Sequence, residues 1–191
     1  MRNLGVSERF PTLNINIIIF YFSAISMLAI CSYGIYTSAT QYTKTKTVII
    51  GQVIVSTEFP IHGAPKLVTY LMVFSVISWY SAMKLVGGKL STIPNPIKSV
   101  LQLIILIACV ISLYELVYNF FVWSSLITYN LATGHLDLDS ISISYPNPNT
   151  PWNLVFATKM TLAGFLISAH AFYLVTRASK SSSSDKRVDR K

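Results

Sequence analysis

A carboxylate and an amide stand deep in the longest apolar run of this chain. The run covers residues 97–127, IKSVLQLIILIACVISLYELVYNFFVWSSLI, and the two groups are Glu115 and Asn119. A stretch of this length and polarity can cross a bilayer as a helix. An ionisable group inside such a stretch is costly unless another polar group meets it. Glu115 lies 17 residues beyond Lys98, about 25 Å along a helix. A second ionisable group, Lys159, lies about seven residues into another apolar run that starts near Trp152, about 10 Å below the rim where that run enters. With the two runs antiparallel in a core about 30 Å thick, the groups fall within about one turn of the same depth. The expected arrangement is a Glu115–Lys159 ion pair or hydrogen bond acting as a clamp between two spans. The alternative has Lys159 reaching along its own stem to the interface.

Ala108, Ser112, Glu115 and Asn119 recur at spacings of four, three and four, which puts them on one side of a helix. Ala157, Thr161, Gly164 and Ser168 form a similar small-residue stripe in the run that carries Lys159. Small residues let helix backbones approach closely in lipid. Ser112, Asn119 and His170 are thus expected on a polar face inside a bundle. His170 has no second histidine in any apolar run. It reads as a structural side chain bonded to Asn16 or Tyr80 rather than a haem or metal ligand. Outside the apolar runs, His135, Asp137 and Asp139 alternate, and His62 stands in an earlier loop. Alternate residues of a strand share a side, so these four are the candidates for a divalent metal, against the commoner reading of an exposed acidic loop. No phosphate loop, nucleophile motif or zinc-binding helix occurs, and no cofactor is expected.

The elements that position these groups follow from the apolar pattern. The chain has 191 residues, 52% hydrophobic and 12% charged, about half the charge of a soluble domain. Four spans are predicted, at about residues 14–37, 66–86, 97–127 and 152–176, giving an all-α four-helix membrane bundle in one domain. Thr37-Ser38-Ala39 has the look of a signal cleavage site, but the preceding run is long for a signal and is read as an uncleaved first span. Gly87, Gly88, Pro94 and Pro96 turn the second span directly into the third. The segment TVIIGQVIVSTE, residues 47–58, is rich in Val and Ile and reads as extended, with a bend at Gly51. Residues 136–145 alternate apolar and polar side chains, as a strand with one greasy face would. The two segments are expected to pair as a small β-rich cap. The tail from residue 177 to 191 is Ser-rich and basic and is expected to be disordered.

The net charge of +8 lies mostly beside the spans, not on a soluble face, which argues against nucleic-acid binding. With the N-terminus inside, eleven basic residues flank the inner ends and three, Lys44, Lys46 and Lys66, lie in the outer loops. This bias predicts both termini in the cytoplasm, loops 38–65 and 128–151 outside, and a plasma-membrane setting. Trp79, Tyr80, Trp123, Tyr129 and Trp152 suit interfacial anchoring. Cys31 and Cys109 read as small packing residues. The expected partners are the lipid bilayer and other membrane proteins. The first functional reading is a structural or accessory subunit of a larger membrane complex. The second is a small transporter or channel using Glu115, Asn119 and Lys159. The third is a membrane redox or metal-binding protein using His170 or the loop histidines.

Overall fold

A computed structural model describes residues 15–46, 48–134 and 152–188. Four of its helices are long and apolar enough to cross a membrane. They are α1 (Ile15–Thr45), α3 (Leu67–Val86), α4 (Asn95–Ala132) and α5 (Leu154–Val188), with a five-residue helix α2 (Gln52–Ser56) between the first two. In lipid each backbone N–H and C=O must find its partner within the protein, and a helix does this within one segment. The hydroxyls follow the same rule. Ser23 donates to the Ile19 carbonyl at 2.8 Å, Thr37 to Tyr33 at 2.9 Å and Thr158 to Leu154 at 2.7 Å. Each polar group is thus hidden against its own helix.

The helices outrun the predicted spans. α1 has 31 residues and α4 has 38, about 46 and 57 Å, against a hydrocarbon core of about 30 Å. A helix already formed gains a hydrogen bond with each added residue, so it continues past the apolar run until something stops it. The stop for α4 is Gly134, at φ 73° just past the last turn, the left-handed conformation that ends many helices. The same continuation corrects the expectation of a disordered tail: α5 remains helical through Val188.

α1 packs on α3, α3 on α5 and α5 on α4. The spans therefore lie in a row, and spatial order differs from chain order. α3 and α4 are joined by a tight 3-10 turn, Gly87–Thr92, yet α5 packs against both. The turn itself packs on α3 and α5, so the chain crosses under the end of α5 to reach its far side. At the opposite end of the row, α1, α2, α3 and α5 converge on a core of Ile30, Ile54, Val55, Val68 and Leu71, with Cys31 and Phe156 against it.

No strand is present among the described residues, and the expected β-rich cap is not formed there. Residues 52–56 are α2, and only isolated bridges occur, Ile50 with Trp152 and Glu58 with Lys66. The physical reason is burial. Ile54 and Val55 sink to 6% and 1% exposure. A helical turn closes its hydrogen bonds locally, Val55 N–H to the Gly51 carbonyl at 3.0 Å, and needs no neighbouring strand at that depth. The bend predicted at Gly51 is present, at φ 83°. The partner segment, residues 136–145, lies outside the described residues.

Candidate functional site

Polar side chains join the row at four levels. At the α2 end, Asn153 is fully buried. Its Oδ1 accepts the Val155 and Phe156 N–H groups at 2.9 and 3.1 Å, capping α5. Its Nδ2 donates to Gln52 Oε1 at 2.7 Å, and its own N–H donates to the Ile50 carbonyl at 2.9 Å. One side chain thus starts a membrane helix and ties it to α2. Asn is a strong N-cap because its oxygen satisfies orphan amide protons of the first turn. Asn153→Ala is expected to cost about 2 kcal/mol, the upper part of the range for a lost cap, since the Gln52 bond goes as well. Thermal unfolding in detergent, followed by tryptophan fluorescence, would check this; an unchanged midpoint would contradict it.

Beneath this level Lys159 Nζ donates to Thr69 Oγ1 at 2.6 Å. The bond links α5 to α3. It replaces the expected clamp between Lys159 and Glu115, which the structure does not form. Glu115 is exposed on α4. An acid–base contact within 4 Å joins His62 Nδ1 to Glu58 Oε2 instead, at 2.9 Å. Residue counting along two helices fixes relative depth but not azimuth. Ser112 of α4 faces Gly164 of α5: a Cβ built on Gly164 would lie 3.1 Å from Ser112 Oγ. Lys159 is five residues from Gly164, about 140° around its helix, and so points to α3 instead. Additive stability losses are therefore expected for Glu115→Gln with Lys159→Met. Lys159→Met with Thr69→Val should couple by about 1 kcal/mol. A double-mutant cycle in detergent separates the two, and coupling of Lys159 to Glu115 would reverse the assignment.

Toward the other end, Trp79 Nε1 donates to His170 Nδ1 at 3.2 Å, and the Tyr80 ring lies 5.6 Å from the imidazole. His170 is thus held between α3 and α5 by Trp79, while Tyr80 gives it a ring contact. Trp79 acts inside the row rather than as an interfacial anchor. One level further, Gln102 Nε2 donates to Thr176 Oγ1 at 3.0 Å, joining α4 to α5. Asn119 and Lys98 are buried, at 2% and 1% exposure. The polar face expected from Ser112, Asn119 and His170 is thus divided: Ser112 meets α5, and His170 faces α3.

His135, Asp137 and Asp139 lie outside the described residues. Among the described residues, no group of three or more His, Cys, Asp or Glu side chains could hold a metal ion. His62 sits instead at a small acidic turn. Glu58 Oε2 also accepts the Gly63 N–H at 2.8 Å. That backbone bond, aided by His62, holds the Glu58 carboxyl below its ordinary value of 4.5. A depressed carboxyl stabilises the fold above its unfolded-state value and loses that contribution as pH falls through the folded one. The Gly63 amide resonance is expected to titrate with a midpoint below 4.5; a midpoint above it would contradict the bond.

Several connecting residues were not singled out from sequence. Asn153, between Trp152 and an apolar run, carried an N-cap signal that could have been read. Thr69, Gln52, Gln102 and Thr176 carried none beyond being polar in or near apolar runs.

Among the described residues, apolar cavities flank the row. One of about 780 Å³ lies between α1 and α3 under Phe59 and Pro60. One of about 330 Å³ lies between α1 and α2. One of about 400 Å³ is a cleft between α3 and α4 with α5 as its floor. Glu115, Asn119 and Lys159 line none of these three. Compared with family models, curated proteins and solved structures, the chain matches none.

Proposed function

We propose that this chain is a structural or accessory subunit of a larger membrane complex, lying in the plasma membrane with both termini cytoplasmic. The observation that carries the reading is the one-sided packing of α4. It packs on α5 and leaves a long flank uncovered, with Val100, Ile104, Ile107, Ile111 and Tyr114 all at least half exposed. Lipid can cover an apolar flank, but this one also carries the carboxylate of Glu115, which lipid solvates poorly. The polar groups inside the row support the same reading. Lys159, His170, Gln102 and Asn153 are each used to join neighbouring elements. That use suits a scaffold better than a transport path, which would gather such groups around one site at mid-depth. Orientation follows the excess of basic residues at the predicted inner ends.

The test is extraction of the full chain from its native membrane in a mild detergent, with the particle mass measured by native mass spectrometry. A particle containing other membrane proteins in fixed ratio to the 21.3 kDa chain is expected. A chain that emerges alone would overturn the reading.

A further inference from the structure

We infer that the cleft between α3 and α4 is the seat of one transmembrane helix of another protein, and that this helix carries a lysine or arginine level with Glu115. The inference rests on the subunit reading above and adds to it a place and a partner chemistry.

The cleft is built by the row itself. α5 supplies the floor with Ile167 and Ala171, α3 one wall with Trp79 and Met83, and α4 the other with Ile104 and Ala108. Its lining is nearly all apolar, as the seat of a membrane helix should be. Ala108 is small and exposed, so a helix backbone could approach the α4 wall closely. Glu115 lies seven residues from Ala108, two turns along α4 and within about 20° of the same azimuth. It therefore extends the same wall toward the α2 end. Among the described residues no hydrogen bond or ion pair reaches it.

The carboxylate decides between occupants. Lipid tails offer it nothing, and an acid facing them is costly. A second copy of this chain, related by a two-fold axis along the membrane normal, would bring a second Glu115 to the same depth and set like charges together. The chain's own cation at a similar depth, Lys159, is already bonded to Thr69. A basic side chain on a different helix satisfies the carboxylate and lets its apolar neighbours fill the cleft.

The test uses the full chain in its native membrane, with a photo-crosslinking amino acid placed at Ala108 and, as a control, at the exposed Ile25 of α1. The crosslinked peptides are sequenced. From Ala108 the expected adduct is a transmembrane segment of another protein with a lysine or arginine at the depth of Glu115. Glu115→Lys is expected to lower the adduct yield about tenfold, the scale of one lost polar contact between membrane helices. Exchanging the partner's cation for glutamate should restore it. Glu115→Leu, which leaves an apolar lipid-facing side chain, should keep the thermal stability of the isolated chain while also losing the adduct. Adducts from Ala108 to lipid alone or to a second copy would overturn the inference, as would full yield with Glu115→Lys. If protein adducts arise only from Ile25, the cleft assignment fails while the subunit reading stands. If both positions yield lipid alone and the extracted chain is solitary, both fail.

Discussion

Gly51→Ala is expected to destabilise the protein by about 3 kcal/mol, from two additive causes. Gly51 sits at φ 83°, where a residue with a Cβ loses about 1–2 kcal/mol. The added Cβ would also overlap Phe156 Cγ and lie 2.5 Å from Phe156 Cβ. The nearer part of Phe156 is close to its own backbone and cannot swing away as the end of a flexible chain would, so overpacking adds about 1–3 kcal/mol. The site matters because Gly51 is the point where the connection after α1 turns down into the core. Gly51→Asn separates the causes: asparagine tolerates the left-handed region but keeps the clash. Gly51→Ala combined with Phe156→Ala relieves the clash and keeps the conformational cost, so the pair should lose less than the sum of the single changes. Thermal unfolding in detergent is the measurement. A Gly51→Ala protein as stable as the parent would mean that the chain does not bend at this residue.

Gly164→Leu is expected to be as damaging, through the seam between α4 and α5. A Cβ at Gly164 already meets Ser112 Oγ at 3.1 Å. Alanine there should be tolerated once the serine hydroxyl turns aside, and better still with Ser112→Ala. Leucine puts three more carbons into the same gap and must part the helices or force strained rotamers, at about 2–3 kcal/mol. Because α5 is the main neighbour of α4, no other long helix takes up the load. Gln102→Cys with Thr176→Cys reports on the seam directly, since the native side chains meet at 3.0 Å. The disulfide should form readily in the parent and with Gly164→Ala, and poorly with Gly164→Leu. Equal yields in all three would place the close approach elsewhere.

The four spans were legible because each is a run of apolar residues long enough to cross lipid, and that signal needs no knowledge of neighbours. Their ends were less legible. α1 carries on through Gln41 and Lys44 to Thr45 because a formed helix propagates into polar sequence. Residues 52–56 were misread because Val and Ile favour strands only where a strand can pair. Here burial of Ile54 and Val55 against α1 and α3 selected a helical turn, and the bend at Gly51 was the part visible in the residue type. For the polar groups, counting residues speaks to depth alone and leaves azimuth open. Glu115 lies only about 60° around α4 from Ser112, yet it is exposed while Ser112 meets α5, and Lys159 turns to Thr69. Which helices would be neighbours, α1–α3–α5–α4 rather than chain order, is a tertiary fact that the turn at residues 87–92 does not encode.

Helices that cross a membrane and return place residues 58–63 and residues 87–92 on opposite sides. With Cys31 and Cys109 replaced by alanine, His62→Cys and Thr92→Cys are introduced singly and exposed to a membrane-impermeant maleimide in sealed vesicles of one orientation. Labelling of one position in intact vesicles, and of the other only after permeabilisation, is the predicted result. Labelling of both from the same side would mean that α3 does not cross the membrane.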